Sequence, residues 1–324
     1  MPRRVRGTVT TVRVLSLVTN GRSRFYRQQI AGLRERGHTV DALAVPRAGT
    51  ESDSRSVGAY ARYYPRAFAA ARRGYDVVHA NYGLTAPPAV AQPFAPVVVS
   101  LWGSDLMGRY GAVSRLAARF ADEVIVMSGE MAGLLASDCH VIPHGIDLET
   151  FRPLPRSVAC AEVGWRSDRR HVLFPYPPDR GVKDFPRARR IVDAAADELD
   201  RAVELHTVTG VPHARMPWHF NAADALLVTS RREGSPNSVK EALACDCPVI
   251  STDVGDVAER LDGVSHSAVA ADDAELAARL ADALAAETRS DGRASVASLG
   301  IERQLDRVET VYRSALDTEV PRSR

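Results

Sequence analysis

The sequence predicts an α/β fold made of two doubly wound parallel sheets, one in each half of the chain. Short apolar runs, typical of buried strands, alternate with longer stretches of helical periodicity along both halves. A length of 324 residues is enough for two domains, each with its own hydrophobic core. Residues 143–168 hold three prolines and little periodicity, so we place the linker there. The predicted domains are therefore residues 1–150 and 151–300, followed by a terminal segment at 301–324.

The first half alternates strands and helices. Gly37 ends the first helix, because glycine readily adopts the left-handed conformation at a helix C-terminus. A polar loop at 48–56 precedes an arginine-rich helix. The predicted strands are residues 12–18, 39–45, 76–80, 96–101 and 123–127, and the predicted helices are 20–36 and 59–71.

The second half repeats this alternation and ends in an amphipathic helix at 301–316. The predicted strands are residues 171–174, 203–208, 225–229 and 247–251, and the predicted helices are 186–199, 217–223, 238–244 and 274–286.

Two glutamates eight positions apart, Glu233 and Glu241, lie on either side of a small turn that leads into a helix. A helix N-terminus at the carboxyl edge of a parallel sheet favours phosphate, because free amides and the helix dipole both attract an anion. Glu233 lies over the sheet edge, and Glu241 lies about one and a half turns inside the helix, where its carboxylate can accept hydrogen bonds from a ribose diol. The alternative is that Glu233 caps the helix and Glu241 is a solvated helix residue.

At these residues the chain resembles the retaining glycosyltransferases of family 4. Glu233 and Glu241 match the E-x7-E motif of that family, and Ser251–Asp256 matches the segment that follows it. Residues 143–147, with Phe151 and Pro153, are similar to the interdomain segment of the family. The resemblance implies a GT-B fold, in which two Rossmann-like domains face each other across a cleft and the terminal helix crosses back to the first domain.

The resemblance also implies a nucleotide-sugar donor held by the second domain. Glu241 would bind the ribose, and Glu233 would position the donor sugar as a catalytic residue. The donor diphosphate would contact the turn between the glutamates, which consists of Gly234, Ser235, Pro236 and Asn237. The backbone N–H groups of this turn would bind it, and Pro236, which has no N–H, would only shape the turn.

Arg180 and Lys183 follow the first predicted strand of the second half, in a loop that leads into a helix. They match the Arg…Lys pair with which the family holds the donor diphosphate, so we assign them both binding and catalytic roles. A solvated basic pair is the alternative. Because the sequence has no Asp-x-Asp motif, we expect these cations to neutralise the leaving group without a metal, and we expect no cofactor besides the donor as co-substrate.

The first half offers weaker candidates. Gly21 lies in the loop after the first strand and matches only part of the double-glycine loop of the family, so a plain strand–helix turn is equally consistent. Trp102 stands where many relatives carry a histidine, which leaves Asp105 as the better polar candidate for catalysis; a helix cap is its alternative role. His79 ends a strand and would line the acceptor side, although a lone histidine there is more often structural.

Charge is uneven along the chain. Residues 1–75 contain fifteen arginines and four acidic residues, a net charge of +11, whereas the whole chain carries +2. Such an asymmetry suits a lipid-linked or otherwise anionic acceptor, or an anionic membrane face, and a solvated basic surface is the alternative. Arg62, Arg66, Arg72 and Arg73, interleaved with Tyr63, Tyr64 and Phe68, are the candidate contacts. No recognition motif suggests nucleic acid.

The expected location is the cytoplasm, with peripheral contact to the inner face of the membrane as an option. No stretch approaches eighteen consecutive apolar residues, and Arg13 interrupts the apolar run that a signal peptide would need after the basic residues 1–7. Four cysteines, at 139, 160, 245 and 247, show neither disulfide nor zinc spacing and are interpreted as small hydrophobic residues.

The expected function is transfer of a sugar from a nucleotide-diphosphate sugar to an acceptor hydroxyl, by a hexosyltransferase-type enzyme (EC 2.4) that retains the anomeric configuration. Two alternatives remain open: a non-hydrolysing sugar-nucleotide epimerase with the same architecture, and a catalytically inactive sugar-nucleotide-binding subunit. The absence of Walker, G-x-S-x-G, H-E-x-x-H and G-x-G-x-x-G motifs disfavours other common enzyme classes, including nicotinamide-dependent dehydrogenases.

Overall fold

The computed structural model describes residues 11–46, 55–286 and 288–317. These residues form two compact units. Of the described residues, the first unit contains those within 11–127, 131–142 and 304–317, and the second contains 128–130 and those within 143–303. The basic residues 1–7, most of the predicted polar loop at 48–56 and the last residues of the 301–324 segment lie outside the described ranges. Apart from residues 128–130, the second unit begins at Pro143, whereas the boundary predicted from the sequence lies at residue 150.

The first unit contains a parallel sheet of six strands in the order β2-β1-β3-β4-β5-β6. Its strands are β1 (Arg13–Val18), β2 (Thr39–Ala44), β3 (Val77–Asn81), β4 (Val97–Ser100), β5 (Glu123–Val126) and β6 (His140–Val141). The helices along this part of the chain are α1 (Arg24–Glu35), α2 (Val57–Ala71), α3 (Ala86–Val90), α4 (Gly111–Ala118) and α5 (Gly129–Ala132).

The second unit contains a parallel sheet of five strands in the order β11-β10-β9-β7-β8. Its helices are α6 (Arg156–Val163), α7 (Phe185–Ala196), α8 (Met216–Ala222), α9 (Asn237–Ala244), α10 (Val257–Leu261), α11 (Asp273–Ala285) and α12 (Arg293–Val296). Its strands are β7 (Arg170–Phe174), β8 (Val203–Thr207), β9 (Ala225–Val228), β10 (Val249–Ser251) and β11 (Ala268–Val269). The predicted α/β class with parallel sheets is confirmed.

The last helix, α13 (Ile301–Asp317), packs against the first unit through most of its length. The side chain of Leu305 lies so close to Gly32 of α1 that a β-carbon at that position would collide with it. Further along, the hydroxyl of Tyr312 contacts Nδ1 of His79 at 2.8 Å. Both contacts bury the apolar face of α13, which explains the strong periodicity of the sequence there.

Residues 156–163 are helical, although the sequence analysis assigned them to a linker. Ala159 and Cys160 of this helix, α6, are buried against Ala222 of α8. Pro155 directly precedes the helix, and Gly164 ends it with φ of +75°. The helix is short and follows two prolines, so its two inward-facing residues gave too weak a periodic signal to separate it from a loop.

In each sheet the strand order reverses next to the first strand of that unit. The reversal lies between β1 and β3 in the first unit, and between β7 and β9 in the second. Open parallel sheets bind ligands outside the carboxyl ends of the strands at this point, because the flanking loops diverge there and leave a crevice. Within the described residues, no helix combines the length and apolar character needed to cross a membrane.

Candidate functional site

The loops that follow β7 and β9 are joined at the point where the strand order of the second unit reverses. The Thr229 hydroxyl, just after β9, donates to the backbone oxygen of Lys183 at 2.8 Å. The backbone N–H of Arg231 donates to the oxygen of Val182 at 2.9 Å. These bonds hold the loop that carries Arg180 and Lys183 against the loop that carries Glu233.

Lys183 and Glu233 form an ion pair at this junction. The Lys183 side chain is buried and its ammonium also lies 3.6 Å from the ring centroid of Tyr176, a cation–π contact. Burial lowers the pKa of Lys183; the charge of Glu233 opposes this effect, and that of Arg180 adds to it. The structure thus brings together residues that the sequence placed fifty positions apart.

Tyr176 lies at the centre of the candidate site. Burial is the main reason that its pKa is raised, and the carboxylate of Glu233 adds to the effect. Glu241 and Arg180 also shift this pKa, in opposite directions, so the charges of all three residues act on one side chain. The Tyr176 hydroxyl contacts the Ser238 hydroxyl in the first turn of α9, which links the β7 loop to that helix.

The N-terminus of α9 points at the same junction. The helix begins at Asn237 after Pro236, and among the described residues no side chain caps it. The amides of Val239 and Lys240 donate to the backbone oxygen of Pro236, at 3.2 Å and 3.4 Å. Those of Asn237 and Ser238, ahead of them, are the ones that an anion can satisfy, and the helix dipole also favours an anion there. Gly234, Ser235 and Pro236 directly precede this helix and Asn237 is its first residue, so their contact with a diphosphate stays a prediction.

The turn itself is fixed by the segment after β10. Gly255 has φ of +63°, and a β-carbon there would lie 2.5 Å from the backbone oxygen of Gly234. Glycine is therefore required both by conformation and by contact. Next to it, the Asp256 carboxylate accepts from the Ser235 hydroxyl at 2.9 Å and from Nε of Arg260 at 3.1 Å. The resemblance of Ser251–Asp256 to the family segment thus has a structural reason.

Glu241 lies inside α9 and is largely buried, so it is not the solvated helix residue of the alternative interpretation. Its Oε1 lies 2.9 Å from Nε2 of His213, whose ring packs 4.8 Å from that of Phe151. The His213 side chain is 33% exposed and that of Glu241 is 9% exposed, so the pair is reachable from one side. His213 was not among the residues predicted from the sequence, because it begins a three-residue 3-10 turn, which is too short to show periodicity.

Lys240 was also missed. Its side chain is fully buried, and its ammonium donates to the backbone oxygen of His144 at 2.9 Å. It therefore anchors the start of the 143–147 segment to α9, next to Glu241. A lysine flanked by buried residues within a helix is the signal that would have identified it.

The candidate residues in the first unit are held by hydrogen bonds or packing within that unit. Asp105 is 1% exposed, and its carboxylate accepts three backbone N–H groups, from Gly83 at 2.8 Å, Trp102 at 2.8 Å and Gly103 at 2.9 Å. Burial raises the pKa of Asp105, whereas these hydrogen bonds lower it. The geometry favours a role in holding two loops together over contact with a substrate.

His79 is fully buried between Tyr312 and Ser100, with the Ser100 hydroxyl 2.7 Å from Nε2. Burial lowers the pKa of His79 to about 3, so the ring is neutral, and a structural role follows. Gly21 lies in the turn after β1, beside the reversal of strand order. A β-carbon there would meet Ala44 at 3.3 Å, so the residue is close-packed.

Two family models match this chain, one in each half. The model described as "Glycosyltransferase Family 4" matches residues 19–150, and the model described as "Glycosyl transferases group 1" matches residues 184–286. A relative, D-inositol 3-phosphate glycosyltransferase 1 of Catenulispora acidiphila, is 29% identical over 245 residues, which cover 64% of this chain and 58% of that protein. The chain thus spans little more than half of that relative's length.

Solved structures show the same fold. Sucrose-phosphate synthase from Thermosynechococcus elongatus has a TM-score of 0.73 at 18% identity, covering 95% of this chain and all of that chain. Anabaena HepE, solved in complex with UDP and glucose, has a TM-score of 0.67 at 15% identity over 94% of this chain and all of that chain. The protein therefore has the GT-B fold of the glycosyltransferases. Within that class, its first half is similar to glycosyltransferase family 4 and its second half to the group 1 glycosyl transferases.

Proposed function

We propose that this protein transfers a sugar, in particular a hexose, from a nucleotide-diphosphate sugar to an acceptor hydroxyl. The observation that carries the proposal is the convergence of Lys183, Glu233, Glu241 and the N-terminus of α9 at the reversal of strand order in the second unit. Cations and amides for a diphosphate lie beside carboxylates suited to a ribose and a sugar. The description of HepE with UDP and glucose supports a hexose donor.

In the proposed complex, the donor diphosphate lies between Arg180, Lys183 and the amides of the turn at 234–237. The ribose hydroxyls donate to Glu241, which His213 holds in place. Glu233 orients the donor sugar while it remains within reach of Lys183. Positive charge placed where the leaving group becomes more negative stabilises the transition state more than the bound donor.

The reaction proposed is metal-independent and proceeds with retention of configuration. The bond between the anomeric carbon and the phosphate oxygen breaks, and the acceptor oxygen bonds to that carbon on the same face. The acceptor proton passes to an oxygen of the departing diphosphate. Pairing with Lys183 makes Glu233 a weak nucleophile, which supports this path over a covalent intermediate.

The acceptor is proposed to be anionic or lipid-linked, with peripheral contact to an anionic membrane. Arg62 and Arg66 of α2 are exposed, which supports such contact. Tyr63, which the sequence analysis placed among the contact candidates, is instead buried, and its hydroxyl donates to the backbone oxygen of Leu43 at 3.0 Å. It faces the core because it shares one face of α2 with the buried residues Ala59, Ala67 and Ala71, at spacings of four.

An exposed apolar strip in the same unit also supports membrane contact. Leu116 and Phe120, in and just after α4, are 58% and 64% exposed, and Arg115 and Arg119 lie beside them. Exposed apolar side chains among cations are typical of surfaces that enter the interface of an anionic membrane.

The test is incubation of the purified protein with labelled nucleotide sugars and candidate acceptors, with product analysis by NMR. Formation of a glycosylated acceptor with the donor's anomeric configuration supports the proposal. A new epimer of the donor would support the epimerase, and binding without conversion would support the inactive subunit. Activity should persist in EDTA; strict dependence on added Mg²⁺ or Mn²⁺ would refute the assignment of Arg180 and Lys183 as the neutralising groups.

A further inference from the structure

A second polar cluster lies in the second unit, on β7 and its edge neighbour β8. His171 on β7 is aligned with Glu204 on β8, and His206 follows two positions later, so the three side chains share one face of the sheet. Nδ1 of His171 lies 2.9 Å from Nε2 of His206. Oε2 of Glu204 lies 3.6 Å and 3.5 Å from these two nitrogens.

From this triangle we propose that His171, Glu204 and His206 bind one divalent cation of the zinc type. Zinc lies about 2.0–2.1 Å from histidine nitrogen and carboxylate oxygen, so two ligand atoms of a tetrahedral site are about 3.3 Å apart. The three observed separations bracket that value. A point about 2 Å from all three atoms exists, about 0.6 Å out of their plane, and the fourth position is left for water.

The groups behind the ligand atoms are arranged as metal sites require. Nε2 of His171 lies 2.7 Å from the backbone oxygen of Arg166, so this nitrogen carries the proton and leaves the Nδ1 lone pair toward the cluster. Oε1 of Glu204 accepts from Arg169 at 2.6 Å, which orients Oε2 toward the histidines. The indole of Trp165 stacks on His206 with centroids 3.7 Å apart, which fixes that ring.

Burial differs among the three ligands in a way that allows entry. The His171 side chain is fully buried, whereas those of His206 and Glu204 are 20% and 31% exposed. Two imidazoles and one carboxylate favour zinc or a similar ion over Mg²⁺ and Ca²⁺, which prefer oxygen ligands. The bound ion would tie the edge strand β8 to β7, in a cluster that shares none of its residues with the candidate donor site.

The test is a titration of the metal-stripped full chain with zinc chloride, followed by calorimetry and tryptophan fluorescence. Trp165 stacks on a proposed ligand, so its emission reports binding. Glu204→Gln and His206→Gln should each weaken binding at least about 10-fold. His219→Gln is the matched control, because His219 also packs against Trp165, at 5.8 Å, but lies outside the triangle.

One zinc bound by the wild-type chain and by His219→Gln, with the loss confined to the two ligand variants, supports the proposal. Cobalt should then give the strong visible absorption of a tetrahedral site, and excess Mg²⁺ should not compete. Wild-type binding that is absent, or equal in all variants, would overturn it. Glu204 is exposed enough for Glu204→Gln to fold. If His206→Gln does not fold, the zinc affinity of Glu204→Gln tests the proposal by itself.

Discussion

The ammonium of Lys183 and the carboxylate of Glu233 form an ion pair between the loops that follow β7 and β9. The two side chains are only 6% and 17% exposed. Lys183 and Glu233, both assigned to the donor, are thus paired with each other in the absence of the donor. A bound diphosphate would have to share Lys183 with Glu233, and this coupling determines how variants of either residue should behave.

Lys183→Met should lower turnover by about 10²–10³-fold, because it removes a positive charge from the departing diphosphate while keeping the apolar stem. Steady-state kinetics with the preferred donor would measure this. The double variant Lys183→Met/Glu233→Gln should regain any lost stability without regaining turnover, since it removes the unpaired carboxylate. Arg231→Ala, which removes an exposed cation paired with Asp184, is the control. Equal losses of turnover in Lys183→Met and Arg231→Ala would contradict a specific role for Lys183.

The affinity for a nucleoside diphosphate should fall as pH rises through the lowered pKa of Lys183, because only the protonated amine attracts the diphosphate. Glu233 raises that pKa, so Glu233→Gln should move the fall in affinity to lower pH. Calorimetry from neutral to alkaline pH, with both proteins folded throughout, would measure the shift. A shift to higher pH would show that the charge of Glu233 does not control Lys183.

Glu241→Ala should weaken nucleotide binding by about 1.5–3 kcal/mol, or roughly 10–150-fold, because it removes a charged acceptor from the ribose. His213→Ala should have a smaller effect, since it only frees the carboxylate to move. Glu198→Ala, at an exposed position, is the control. Calorimetry with UDP and other nucleoside diphosphates would test the series. Unchanged affinity in a folded Glu241→Ala protein would count against the ribose assignment.

Gly255→Ala should destabilise the protein by about 2–5 kcal/mol, because the new β-carbon is strained at positive φ and collides with the backbone of Gly234. Gly263→Ala should cost only about 1–2 kcal/mol. Gly263 also has positive φ, but no described heavy atom lies within 4 Å of a β-carbon there. Denaturant unfolding of both variants would measure how much the contact with Gly234 adds to the loss of stability. Equal losses of stability would mean that the turn at Gly234 shifts without cost.

The protein should co-sediment with anionic vesicles and not with neutral ones, and salt should weaken this binding, because exposed charges are screened over about 10 Å at 0.1 M. Arg62→Glu/Arg66→Glu should reduce the bound fraction. Arg189→Glu/Arg190→Glu, an equal change of charge on exposed positions of α7, should leave it unchanged. Negligible binding to both vesicle types would favour a solvated basic surface and an acceptor free in solution.

The sequence by itself determined the fold class, because strand and helix periodicities reflect which side chains face the core, and burial is a local property of each element. It also located the turn between Glu233 and Glu241, since the helix start and the flanking strands are local signals. Short elements such as α6 and β6 were not predicted, because an eight-residue helix with two buried residues and a two-residue strand carry too little periodicity to distinguish them from loops.

Only the tertiary structure decided which side chains meet. Glu241 and His213 are 28 positions apart, and His171 and His206 are 35 apart, so neither pair forms a motif that can be seen along the chain. Asp105 was predicted from the sequence as a catalytic candidate after a strand, yet its carboxylate accepts hydrogen bonds from three backbone amides. Parallel strands bring distant segments side by side, and their register, which no local pattern encodes, determines these contacts.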